Sequence, residues 1–230
     1  MKRFNTNDIS LHHVKILAYG ESNSGKTITF STVPDVTSAF LISAEAGTLS
    51  LKGKGVEGCT VNSMADVQEA YTWITESEEA RGINFIGLDS ISEIGDLCLD
   101  EEQTNTKDGR QAYGNMQKRM RRLIRTFRDM PGKHVYMSAR QTRLQDETGK
   151  LFFGPDMPGQ KLGPGMSYWF DEVFCLRTFK VEEGGEFIIK RAFQTLGDGQ
   201  YMAGDRSGNL AEFEAPDLSG IVAKILKEKV

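Results

Sequence analysis

The sequence predicts an α/β fold: a mostly parallel central sheet flanked by helices, with an antiparallel strand pair towards the C-terminus. Three observations predict it. Short apolar runs alternate with amphipathic helical stretches as far as Arg140, the pattern of parallel strands covered on both faces. A Gly/Ser-rich turn with a fixed spacing of glycines joins the first run to a helix. Two β-rich segments meet at the turn Glu183-Gly184-Gly185.

Taken in order, Val14-Lys15-Ile16-Leu17-Ala18-Tyr19 reads as the first strand. The helix after the Gly/Ser turn ends before Pro34, which has no N–H to continue the ladder. Residues 39–42 form the second strand. Ser63-Met64-Ala65-Asp66 has the form of a helix N-terminus with a capping box, and Val67, Ala70, Tyr71 and Ile74 follow at helical spacing. Residues 84–88 make the third strand, and an acidic helix covers 93–102. Met116, Met120, Leu123, Ile124 and Phe127 form the stripe of a long helix, and residues 135–138 a further strand. Eight Gly or Pro between 143 and 169 predict a long irregular loop, of the kind that is usually functional. Residues 171–179 and 186–193 read as the antiparallel pair. Leu218, Ile221, Val222, Ile225 and Leu226 line one face of a closing helix. The expected organisation is one domain over 1–230, with a polar tail at 1–10.

Composition excludes several classes. Among 230 residues, Lys plus Arg number 28 and Asp plus Glu 32, a net charge of −4, which weighs against binding nucleic acid through bulk positive charge. The average hides a division: residues 1–115 have a balance of −8 and residues 116–230 of +4. No apolar run approaches the ~18–20 residues needed to cross a bilayer, so no membrane partner is expected. The polar start lacks a secretory apolar stretch, and Cys59, Cys98 and Cys175 form neither a disulfide framework nor a metal spacing; a cytoplasmic setting is expected. His12, His13 and His134 show no zinc pattern.

Gly20-Glu21-Ser22-Asn23-Ser24-Gly25-Lys26-Thr27 is G-x-x-x-x-G-K-T. Its glycines let the backbone fold tightly, so that successive N–H groups point at phosphate oxygens, with the N-terminus of the next helix behind them. Lys26 would reach the β- and γ-phosphates, and the Thr27 hydroxyl would ligate Mg²⁺. Asp89, at the end of the strand Phe85-Ile86-Gly87-Leu88, is placed to complete that metal site, or else to cap the following helix. Glu45 follows the neighbouring strand. It would orient or deprotonate an attacking water, or else stand as a solvated loop acid.

Ala39-Phe40-Leu41-Ile42-Ser43-Ala44-Glu45 followed by Leu88-Asp89-Ser90-Ile91-Ser92-Glu93-Ile94 resembles the RecA-type recombinase ATPase core, a RecA-like P-loop NTPase. From Val14 onward the chain is similar to the short RecA-core ATPases of bacteriophages, the phage nucleotide-binding proteins. Tyr113-Gly114, Pro158-Gly159-Gln160-Lys161-Leu162, Phe170-Asp171-Glu172-Val173 and Asp205-Arg206-Ser207-Gly208 match their later segments. The resemblance implies Glu45 as the catalytic carboxylate and Asp89 as the metal acid. It implies Arg140, or Gln141, as the polar residue sensing the γ-phosphate, and residues 142–167 as a mobile DNA loop. It further implies Arg206 as a cation reaching the ATP of a neighbouring subunit, although Gly204 stands where the pattern has a Lys. The cofactors implied are ATP and Mg²⁺. The partners implied are single-stranded DNA, further copies of the chain in a ring or filament, and a phage single-strand-binding protein, all in the host cytoplasm.

Residues 110–150 contain eleven Lys or Arg and three acids. Lys118, Arg119, Arg121, Arg122, Arg125 and Arg128 share the long helix, as a solvated face or as a contact for phosphates or another subunit. Arg143, Lys150, Phe152, Phe153 and Lys161 continue into the Gly/Pro-rich stretch at 142–169, where cations beside aromatics suit an unpaired strand. Tyr168 and Trp169 lie there too, with Phe152 and Trp169 equally suited to packing on the core. The acidic helix would repel DNA and is set to meet the basic helix of a neighbouring subunit. The expected function is therefore Mg²⁺-dependent ATP hydrolysis coupled to single-stranded DNA binding in phage recombination or annealing. A small-molecule phosphotransferase and a non-catalytic, ATP-controlled interaction module are the competing classes.

Overall fold

The computed structural model describes residues 13–227 apart from 147, 160 and 161. The strands are β1 (Lys15–Gly20), β2 (Ala39–Ser43), β3 (Glu57–Thr60), β4 (Phe85–Asp89), β5 (His134–Gln145), β6 (Leu151–Pro155), β7 (Glu172–Glu183), β8 (Glu186–Gln194), β9 (Gly204–Asp205) and β10 (Phe213–Glu214). The helices are α1 (Lys26–Thr29), α2 (Met64–Glu76), α3 (Ile91–Asn105), α4 (Gly109–Arg128), α5 (Leu162–Gly165) and α6 (Leu218–Leu226). The sheet runs β10-β8-β7-β1-β5-β4-β2-β3. From β7 to β3 every neighbouring pair is parallel, and β8 and β10 close the other edge antiparallel. This is the α/β architecture that the sequence predicts, a mostly parallel sheet flanked by helices with antiparallel strands on the C-terminal side.

Period-two alternation sorts the strand residues between two core layers. Leu17, Tyr19, Ile86, Leu88 and Met137 face α2, α3 and α4, meeting Val67, Ile94, Met116, Met120 and Ile124. Ile16, Ala18, Phe85, Tyr136 and Leu176 face the other way, onto Phe30 and the α6 stripe Leu218, Ile221, Val222 and Ile225. Each fully buried side chain of this kind contributes about 1.5–3 kcal/mol of transfer free energy.

The helices begin where their caps stand. Ser63 accepts from Asp66 N–H at 3.2 Å, and the Asp66 carboxylate accepts in return from Asn62 N–H at 2.8 Å. Asp108 caps α4 by accepting from Arg110 N–H at 2.9 Å. The helix after the Gly/Ser turn is shorter than its setting suggests. α1 is one turn, continued by a 3-10 turn at Phe30–Thr32, and Val33 is already extended ahead of Pro34.

Two expectations are corrected. Residues 142–169 are not a long irregular loop: β5 continues to Gln145 and turns back as β6, forming an antiparallel arm, with α5 and a 3-10 turn at Met166–Tyr168 behind it. The acidic helix meets basic side chains of its own chain. Arg119 of α4 reaches Glu101 at 2.9 Å and Glu102 at 2.6 Å, and Arg140 reaches Glu93 and Asp96. Among the described residues no helix is long and apolar enough to cross a membrane. Residues 1–10, with Phe4, lie outside the described residues, as does Lys161.

Candidate nucleotide site

β1 delivers the chain to the phosphate loop between two partners, with Gly20 opposite Arg140 of β5 and Leu176 of β7. A methyl group on Gly20 would lie 2.7 Å from the Leu176 carbonyl oxygen, so only glycine lets the strand turn here. At the far end of the loop Gly25 takes φ +108°, a left-handed conformation that other residues adopt at a cost. Asn23 also has positive φ, at 60°. Tyr136 on β5 donates to the Lys26 carbonyl at 3.0 Å and anchors the start of α1.

Lys26 is buried and folds back over its own loop, donating to the carbonyls of Gly20 at 3.0 Å and Glu21 at 2.9 Å. Burial pulls its pKa down, and the nearby carboxylates of Glu45 and Asp89 push it back up. The Ser24 hydroxyl, within the loop, is buried without a hydrogen-bond partner among the described residues. That orphan donor fits a phosphate ligand.

Thr27 Oγ1 donates to Asp89 Oδ2 at 2.6 Å, and the Ser138 hydroxyl donates to the other carboxylate oxygen. Asp89 is 1 % exposed. Burial raises its pKa and Glu45 adds to the rise, while the two hydroxyl donors and Lys26 oppose it. Asp89 does not cap α3. Ser90 does, accepting from Glu93 N–H at 3.3 Å, and its hydroxyl also donates to the Glu45 carboxylate. The backbone N–H of Ala44 donates to the Asp89 carbonyl at 2.7 Å, tying the end of β2 to the end of β4. The Asp89–Ser90 peptide is cis. The structure thus brings Lys26, Thr27, Asp89 and Glu45 together from three strand ends. Ser90 and Ser138 escape sequence reading. Ser90 stands in the motif segment with no assigned role, and Ser138 meets Asp89 across 49 residues.

The donor set suits Mg²⁺. A hydroxyl and a carboxylate, both hard oxygen ligands, stand in hydrogen-bond contact beside the loop. No cluster of three or more acids, His or Cys able to hold an ion exists among the described residues. Two protein ligands match an ion that keeps waters and substrate phosphates around it.

The remaining expected residues are placed more widely. Gln141, with Glu21, Leu176, Arg177, Thr178 and Tyr201, lines a cavity of about 80 Å³ beside the loop. Arg140 turns to the opposite layer, paired with Glu93 at 3.3 Å, with Asp96, and with Asp156 at 3.4 Å. Its guanidinium therefore lies among acids, while Gln141 shares a cavity with Glu21 of the loop. Arg206 lies at the other end of the sheet, on Asp171 at 3.2 Å, remote from the phosphate loop of its own chain. On the arm, Arg143 sits over the Phe153 ring at 5.6 Å, and that ring stacks on Tyr201 at 5.1 Å. Lys150 is exposed and Phe152 half-buried. Trp169 packs on α4 between Arg121 and Arg125, at 5.7 and 5.6 Å. Tyr168 is 78 % exposed.

A family described as an AAA domain matches residues 12–207. The chain belongs to this AAA-domain family. It is a P-loop NTPase. No curated protein matches it. Among the solved structures it is similar to a KaiC-like protein from the hyperthermophilic archaeon Pyrococcus horikoshii OT3, at 10 % identity and a TM-score of 0.43, over 80 % of each chain.

Proposed function

We propose that this AAA-domain protein hydrolyses ATP with Mg²⁺ and couples turnover to single-stranded DNA. The observation that supports hydrolysis, beyond binding, is the pair of acids on separate strand ends, Asp89 on the Thr27 hydroxyl and Glu45 held by Ser90. Lys26 exchanges its two loop carbonyls for the β- and γ-phosphates. Thr27 and Asp89 would hold Mg²⁺, which would supply charge neutralisation on the phosphates. Glu45 orients the attacking water and takes its proton, and the loop N–H groups and Ser24 hold the oxygens on which charge develops.

Coupling is supported by β5, one strand that runs from Ser138 on the metal acid to Arg143 on the arm. Arg143 and Lys150 supply phosphate contacts and Phe152 an aromatic face. Gln141 senses the γ-phosphate at the start of the arm. Assembly of copies into a ring or filament would bring Arg206 to a neighbour's nucleotide. A role in phage recombination or annealing, with a single-strand-binding protein as further partner, completes the reading. Phosphate release with Mg²⁺, with and without single-stranded DNA, tests it. Turnover should rise with DNA. Binding should weaken with salt at a log–log slope of about −0.7 per phosphate contacted. Absence of phosphate release, or DNA binding indifferent to salt and nucleotide, would overturn it.

A further inference from the structure

The two sides of the phosphate loop differ. On one side stand Asp89, Ser138 and Glu45, carried by β4, β5 and the end of β2. On the other stands the β7–β8 pair. Residues directly opposite on antiparallel strands share a face. Arg191 is opposite Thr178, two residues along from the pair Leu176 and Phe193, which pack in the same core layer as Phe30 behind α1. Arg191 therefore projects on the face of the sheet that carries the loop and α1.

It also reaches the loop. A methyl group on Gly25 would lie 3.4 Å from Arg191 Cδ and 3.5 Å from its Nε. The neighbouring cations are occupied. Arg177 donates to Gln194 at 2.9 Å and lies over Tyr201 at 4.2 Å, and Lys190 pairs with Glu183 at 3.1 Å. Arg191 makes no hydrogen bond or ion pair with any described residue. An exposed, unpartnered guanidinium thus lies beside the last glycine of the loop, on the side away from Asp89.

A triphosphate whose γ-phosphate lay near Asp89 and Glu45 would extend across the loop towards the β7–β8 side, where Arg191 stands beside Gly25. We propose that Arg191 holds the α-phosphate of the bound nucleotide. This deepens the reading of the loop as a nucleoside triphosphate site and rests on it. The guanidinium is permanently charged, carries a planar fork of donors, and has no acid to leave first.

Binding of ATP, ADP and inorganic tripolyphosphate to wild type, Arg191→Ala and Arg191→Lys tests the assignment, with melting temperatures to show that each variant is folded. A lost charge-assisted contact should weaken ATP and ADP alike by roughly 10–100-fold in R191A. R191K should recover part of it, since the charge remains while the fork of donors is lost. Unchanged affinities in R191A would overturn the proposal. So would a loss confined to ATP, which would mean a γ-phosphate contact. So would a loss for both nucleotides that spares tripolyphosphate and is not recovered by R191K, which would mean stacking on the base. Wild type that binds no nucleotide would overturn the underlying reading instead, and is told apart by that control.

Discussion

The two ends of the parallel strands treat charge in opposite ways. At the amino end, ionisable groups answer one another. Arg206 pairs with Asp171, Arg128 with Asp129 at 2.7 Å, and Glu172 lies buried against Asp205. Around the loop at the carboxyl end, Arg140 with its three acids apart, charges are answered by neutral groups. Lys26 has two carbonyls, Asp89 two hydroxyls, and Glu45 the Ser90 hydroxyl. A ligand can replace a carbonyl or a hydroxyl without breaking an ion pair. The open end is built to exchange partners, and the closed end to keep them.

The sharpest break of this contrast is Glu45→Gln. Turnover should fall by roughly 10²–10⁴-fold while nucleotide still binds. Phosphate release beside a nucleotide titration reads both, and a native rate would assign the water to another base. Ser138→Ala removes one of two donors from the buried Asp89. A hydrogen bond to a charged group contributes about 1.5–3 kcal/mol, so Mg²⁺-dependent activity should drop roughly tenfold or more, visible in a metal titration.

The closed end yields a pH effect. Burial, and then the charge of Asp205, push the Glu172 carboxyl up to about 9 from an ordinary 4.5. Asp205 is pulled upward by its own burial yet stays low, held by donors from Ser207, Leu210 and Gly208. The folded chain therefore keeps a proton on Glu172 that the unfolded chain has lost. This stability is complete below about pH 4.5 and disappears as pH rises towards about 9. Melting temperature should fall over that window in wild type and vary less in Glu172→Gln; parallel curves would show that Glu172 is ionised in the fold. The smallest effect belongs to Arg206→Ala. Its ion pair with Asp171 is about half-exposed, so stability should change by no more than about 1 kcal/mol in a denaturant titration.

Much of this was legible in the sequence, because it depends on local pattern. The β1 run, the loop glycines, the α4 stripe and the Gly184-Gly185 turn announce themselves within a dozen residues. What stayed hidden depends on distant partners or lacks periodicity. β3, Glu57–Thr60, is an edge strand with mostly exposed residues, so no apolar alternation marks it. β6, Leu151–Pro155, carries Gly154 and Pro155, which read as loop, yet it pairs with β5 along its whole length. Nothing local tells that Arg140 will spend its charge on α3, or that Ser138 will reach Asp89. The charge division between the halves proved partly internal, since basic α4 and acidic α3 are bridged by Arg119.

β5 changes partners part-way along. Through Arg140 it is laced to β1, and from Gln141 onward it is laced to β6 instead. Sliding the strand by one residue would turn every side chain to the opposite layer, so it cannot act as a piston. The hand-over from one ladder to the other falls at Arg140, and three acids hold the guanidinium at that point.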